Sequence, residues 1–145
     1  MDTRFSWTTP TTGAHEVFAW LPSHPTAVPH ARSFTAAALE DWGLAELTFT
    51  TQLIVSELVT NAITHARSSA GLYLRTCGSR LLRCEVSDSS HTAPQLRAPE
   101  YDDLSGRGLH LVSALANRWG YLLTSTGKTI WVEQLTPQAA KSSSA

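Results

Sequence analysis

Between Val17 and Leu21 apolar residues occupy both faces in strict alternation: Val17, Ala19 and Leu21 fall on one side and Phe18 and Trp20 on the other. That is the period of two imposed by a β-strand, and Pro22 ends it. After Pro25 and Pro29 the period lengthens. Val28, Ala31, Phe34, Ala38 and Trp42 then lie on one side of a helix that runs to about Asp41 and is stopped by Gly43. Residues 46–66 carry the longest helical pattern of the chain. Two short strand patterns follow, residues 72–77 and 81–87, separated by the hairpin signal Gly78-Ser79, with Leu82, Cys84 and Val86 sharing a face. Residues 88–106 lose all periodicity and collect Ser, Pro, Asp and Gly; a loop of that length inside a compact domain predicts a lid or a binding loop. Leu109, Val112, Leu115 and Ala116 restore a helical pattern over residues 107–117, and two further strands, residues 119–124 and 129–135, flank a turn at Gly127-Lys128. The expected fold class is α+β: a two-layer sandwich whose mixed, mostly antiparallel sheet of about five strands carries three helices on one face.

At 145 residues one core suffices, and the pattern divides the chain into a flexible N-terminus (1–13), a single domain (14–135) and a disordered tail (136–145). With 42% hydrophobic residues, 16% charged residues and a formal charge of -1, no basic field points to nucleic acid or to an anionic membrane. No apolar run approaches the roughly 18 residues of a membrane span and no leader is evident, so the expected location is the cytoplasm. Cys77 and Cys84 lie on neighbouring predicted strands without the spacing of a zinc site, and are expected to be buried thiols. Trp119 and Trp131 are read as packing residues.

The polar residues of the long helix are less ordinary. Glu57, Asn61 and His65 recur every four positions and stack on one face, whereas Ile54, Val55, Leu58, Val59 and Ala62 point elsewhere. A core helix has little use for such a stripe. Further along, Asp88 closes a strand, where a carboxylate can accept a hydrogen bond from an exocyclic amine such as adenine's. Gly106-Arg107-Gly108 opens a helix, where free backbone N–H groups and the helix dipole favour phosphate. An Asn oxygen is a hard neutral ligand suited to Mg²⁺, which takes its other ligands from water and phosphates. Two decoys fall away. Gly127-Lys128-Thr129 mimics the end of a P-loop, but Leu122 stands where the first glycine would be; Gly106-Arg107-Gly108 begins a dinucleotide fingerprint, but Leu111 holds its third glycine position.

At these residues the chain resembles the Bergerat-fold ATP-binding family shared by gyrase B, Hsp90, sensor histidine kinases and MutL, and more narrowly the bacterial anti-sigma factor serine kinases. The segment Ser56-Glu57-Leu58-Val59-Thr60-Asn61-Ala62-Ile63 is similar to the family's N box, Val86-Ser87-Asp88-Ser89 to the strand end bearing its adenine-binding aspartate, and Gly106-Arg107-Gly108-Leu109 to its lid-hinge glycines. The resemblance implies ATP and Mg²⁺ as cofactors, with Asn61 as metal ligand, Asp88 as reader of the adenine amine, and Gly106, Arg107, Gly108 and Leu109 beside the nucleotide. It implies Glu57 as the base for the attacking hydroxyl. It also implies two partners, an anti-anti-sigma protein phosphorylated on serine and a sigma factor held inactive, and a homodimer. The family often writes its adenine loop as DxGxG; here Ser90 and Thr92 replace the glycines. Ser90 is the feature that favours the rival reading, a catalytically inactive module that binds its regulator with little or no nucleotide. The catalytic half of a two-component histidine kinase ranks last, since no helical dimerisation segment with a phosphoacceptor histidine precedes the domain.

Overall fold

The computed structural model describes residues 14–93 and 104–137, with only the backbone described at 104–109. Strand β1 (Glu16–Leu21) leads into helix α1 (Ala27–Asp41), a 3₁₀ turn (Ala45–Leu47) and helix α2 (Thr48–Asn61), which continues into one turn of π-helix (Ala62–Ala66). Then come β2 (Ala70–Cys77), β3 (Leu81–Asp88), α3 (Leu104–Leu115), β4 (Arg118–Leu123) and β5 (Lys128–Leu135). The five strands form one sheet in the order β1-β2-β3-β5-β4, and every neighbouring pair is antiparallel. The expected α+β sandwich is therefore present, with a purely antiparallel sheet.

Alternation decides which face is covered. Val17, Ala19, Leu21, Leu72, Leu74, Leu82, Cys84, Val86, Ile130 and Val132 are buried on the helix side of the sheet. There all of these but Ala19 and Leu82 join Ala31 and Ala38 of α1, Ile54, Val55, Leu58 and Val59 of α2, and Val112 of α3 in one apolar core. Pro29 sits in the first turn of α1, where its missing N–H is not needed. Among the described residues the opposite sheet face carries no helix and is organised by charge. Glu133 pairs across the sheet with Arg83 and Arg118, both guanidinium groups also lie over the Trp131 ring, and that ring lies where any side chain at Gly120 would stand. Tyr73 hydrogen-bonds Glu16 on the same face, and burial together with that carboxylate pushes its phenol up to about 12.

The cysteines are both free; Cys84 is buried, with its thiol pushed up to about 12 by burial, whereas Cys77 at the end of β2 is only half-buried. Thr136 is buried, and its N–H donates to the Arg80 carbonyl at 2.9 Å. Among the described residues no helix is long and apolar enough to cross a membrane. The proposed flexible N-terminus and most of the C-terminal tail lie outside the described residues, as do residues 94–103 of the expected loop.

Candidate functional site

Helix α2 is the middle of the site. Its apolar residues fix its rotation: with Ile54, Val55, Leu58 and Val59 turned into the core, Glu57 and Asn61 are left half-buried along the flank, one turn apart. Neither makes a hydrogen bond or ion pair with another described residue. Burial pushes the Glu57 carboxyl above the usual carboxylate range, with no cation among the described residues to offset the loss of water. A desolvated acid beside an amide with free donor and acceptor groups is an arrangement that packing alone does not require.

The third member of the expected stripe does not belong to it. The α-helical ladder ends at Asn61, and the π turn that follows carries its residues around a wider circle, so the register that would stack His65 over Asn61 is lost; His65 is exposed. Arg67 closes the turn in the left-handed conformation (φ 51°, ψ 38°), a position where a non-glycine residue is strained by about 1–2 kcal/mol. Isolated π turns of this kind are frequent at functional sites.

Asp88 is the last residue of β3, and the loop after it folds back toward the π turn, the Ser89 N–H donating to Ser68 Oγ at 3.2 Å. Its carboxylate is enclosed, with the side chain 4% exposed, and engaged. Oδ1 accepts the Ser90 N–H at 2.8 Å, while the Lys128 ammonium lies 3.2 Å from Oδ1 and 3.1 Å from Oδ2. The sequence pattern places Lys128 in a turn. It is instead the first residue of β5, directly opposite Asp88 in the antiparallel register, and the turn occupies the preceding residues, closed by Thr124 N–H to Gly127 C=O at 2.8 Å. Gly127 presses on the same point: a Cβ there would lie 1.8 Å from the Asp88 carbonyl oxygen. Lys128 is the residue that sequence reasoning missed. Nothing local signals its partner, which is 40 positions away and is brought opposite only by the pairing of β3 with β5.

Gly106, Arg107, Gly108 and Leu109 lie within the first turns of α3, which begins at Leu104, three residues earlier than the apolar pattern predicts. The N–H of Gly106 is thus the last of the four that a helix start leaves without intrahelical partners, and those of Arg107, Gly108 and Leu109 are within the ladder. Helix α2 packs against α3 and also contacts β3, so the fold brings the elements bearing Glu57 and Asn61, Asp88, and Gly106 to Leu109 together around one helix. Among the described residues no three His, Cys, Asp or Glu side chains gather as a metal site. A metal held by Asn61 would need its other ligands from water or from a bound phosphate, as suits Mg²⁺.

A two-layer antiparallel sandwich with this central helix is the frame of a GHKL-type ATP-binding domain. The histidine kinase-like ATPase domain matches residues 21–133, and the chain belongs to that family. No curated protein matches it.

Proposed function

We propose that this ATP-binding domain is an Mg²⁺-dependent protein serine kinase of the anti-sigma type, a partner switch that phosphorylates an anti-anti-sigma protein, sequesters a sigma factor and works as a homodimer. One observation carries the catalytic part: Glu57 and Asn61 stand half-buried and unpaired with other described residues, one turn apart, in a domain of the histidine kinase-like ATPase family. Phosphoryl transfer asks a protein for position and charge stabilisation more than for covalent help. Bound Mg²⁺-ATP supplies the phosphoryl group and neutralises charge as it is transferred. Asn61 offers an oxygen to the metal, and the free N–H groups at the start of α3 favour the phosphates. Glu57 orients the attacking hydroxyl and receives its proton at a carboxylate oxygen, a task for which its raised affinity for protons is suited. Asp88 receives the exocyclic amine of the base.

A second reading, an inactive module of the same fold that holds its regulator without turnover, is favoured by the enclosed Asp88 and by Ser90, whose N–H and Oγ are both engaged within the loop. Calorimetric titration with ATP and Mg²⁺ separates the two. The kinase reading expects binding that Asp88→Asn weakens about tenfold, and Glu57→Gln protein that still binds ATP but transfers phosphate about 10²–10⁴ times more slowly. Wild-type protein with no affinity for ATP rejects the kinase and leaves the binding module.

A further inference from the structure

The base end of the pocket holds a group that an adenine-reading aspartate does not require. Asp88 and Lys128 both point from the sheet toward the helix layer, the lysine side chain is 9% exposed, and its ammonium spans both carboxylate oxygens. With the Ser90 N–H on Oδ1 as well, three of the roughly four acceptor directions of the carboxylate are taken. The surroundings hold the lysine there. The turn between β4 and β5 lies over the same loop, with His91 Nε2 and the Ser125 carbonyl 3.2 Å apart, and Gly127 stands against the Asp88 carbonyl. A buried pair of this kind is often no more stabilising than apolar side chains of the same volume, so stability alone does not account for it.

We propose that Lys128 is an internal competitor of the nucleotide base: its ammonium occupies the carboxylate that the exocyclic amine of adenine must reach, and nucleotide enters by displacing it. This rests on Asp88 being the base-reading residue of the pocket proposed above. The exchange is between like interactions, since an ammonium and an aromatic amine both donate to the same oxygens. The lysine, tethered to β5, has the advantage of an intramolecular donor. Nucleotide affinity is thereby set by the start of β5, and whatever shifts the β4–β5 turn, a bound partner included, changes access to the base site without touching Glu57 or Asn61.

The test compares ATP and two ligands differing only in the contested amine, adenosine and purine riboside, on wild-type, Lys128→Gln and Lys128→Met protein, by calorimetry. Methionine keeps an unbranched apolar stem and removes the donor; glutamine retains a weaker, neutral one. ATP affinity is expected to rise from wild type to Gln to Met, by tenfold or more overall, and the preference for adenosine over purine riboside to widen in the same order. A flat or reversed order in protein that discriminates the two nucleosides overturns the competitor and leaves Asp88 as the base reader. If Lys128→Met does not fold, the comparison of Lys128→Gln with wild type decides by the same criterion. Wild type silent and a Lys128 variant binding would uphold the competitor while rejecting the kinase reading for the unaided chain. Binding without any preference for the amine, in all three proteins, overturns both the competitor and the role of Asp88, as does absence of binding throughout.

Discussion

Replacing Glu133 by Gln tests whether the uncovered sheet face is held by charge. The carboxylate is 6% exposed; Oε1 accepts Arg118 Nε at 3.0 Å and Nη2 at 2.8 Å, and Oε2 accepts Arg83 Nη1 at 3.0 Å. Glutamine fits the same space but has one acceptor oxygen, so on one side an N–H₂ group faces a guanidinium. The Arg83 arm, with that side chain 21% exposed, is a charge-assisted bond worth about 1.5–3 kcal/mol. Arg118 is 66% exposed, and solvent screening leaves its arm about 0–1 kcal/mol. The expected loss at pH 7 is therefore about 2–3 kcal/mol, read as a fall of about 1 M or more in the urea midpoint for a slope of about 1–3 kcal/mol/M. The pH dependence gives a second check. Burial alone would raise the Glu133 carboxyl, but hydrogen bonds and charge from Arg118 and Arg83 outweigh it and hold it below the usual range. The folded state then binds fewer protons than the unfolded one, so the stabilisation is full above the ordinary carboxylate range and is lost as pH falls through the lowered value. The gap between wild type and Glu133→Gln should narrow from pH 7 toward pH 3. A gap below about 0.5 kcal/mol at pH 7, or one unchanged on acidification, refutes the assignment.

Two other substitutions probe the site from its opposite ends. Burial raises the Glu57 carboxyl, so the folded state favours its neutral form; the associated stability is full below the ordinary carboxylate range and declines as pH rises through the raised value. Glu57→Gln should accordingly gain on wild type in thermal melts as pH rises above the ordinary carboxylate range, and a difference that stays constant with pH contradicts the desolvation of Glu57. Gly127→Ala would place a methyl carbon 1.8 Å from the Asp88 carbonyl oxygen, with backbone rather than a flexible side chain on the other side. The start of β5 must then move, at a cost of about 2–4 kcal/mol in urea unfolding; a loss under about 1 kcal/mol would show that the strand does not abut Asp88.

What could be read from the sequence follows the range of the forces involved. The alternation in β1 and β3 and the helical spacing of α1 are local, and the structure keeps them because the same apolar face that sets the period also sets the burial. The start of α3 was misplaced because Gly106 and Gly108 are poor helix formers, and packing of α3 against α2 outweighs that propensity. The π turn at Ala62–Ala66 was invisible for a different reason: its sequence suits an α-helix equally well, and the loss of the His65 register is a property of the backbone ladder. Lys128 required the sheet order itself, which no local pattern encodes.

The two ends of the site differ in how their charges are treated, and that difference supports the roles proposed for them. At the α2 end Glu57 is desolvated with no described residue to compensate it, a cost that persists in the folded protein because the packing of Leu58, Val59 and their neighbours over-determines the helix position. At the β3 end the carboxylate of Asp88 is fully compensated by Lys128 and Ser90. A group left uncompensated gains most from a ligand that pairs with it, whereas a compensated one gains only the difference between two partners. This matches the roles proposed for them, chemistry at Glu57 and Asn61 and selection of the entering base at Asp88. A change at the β4–β5 turn should alter affinity with little effect on the rate once nucleotide is bound, and a change at Glu57 should do the reverse.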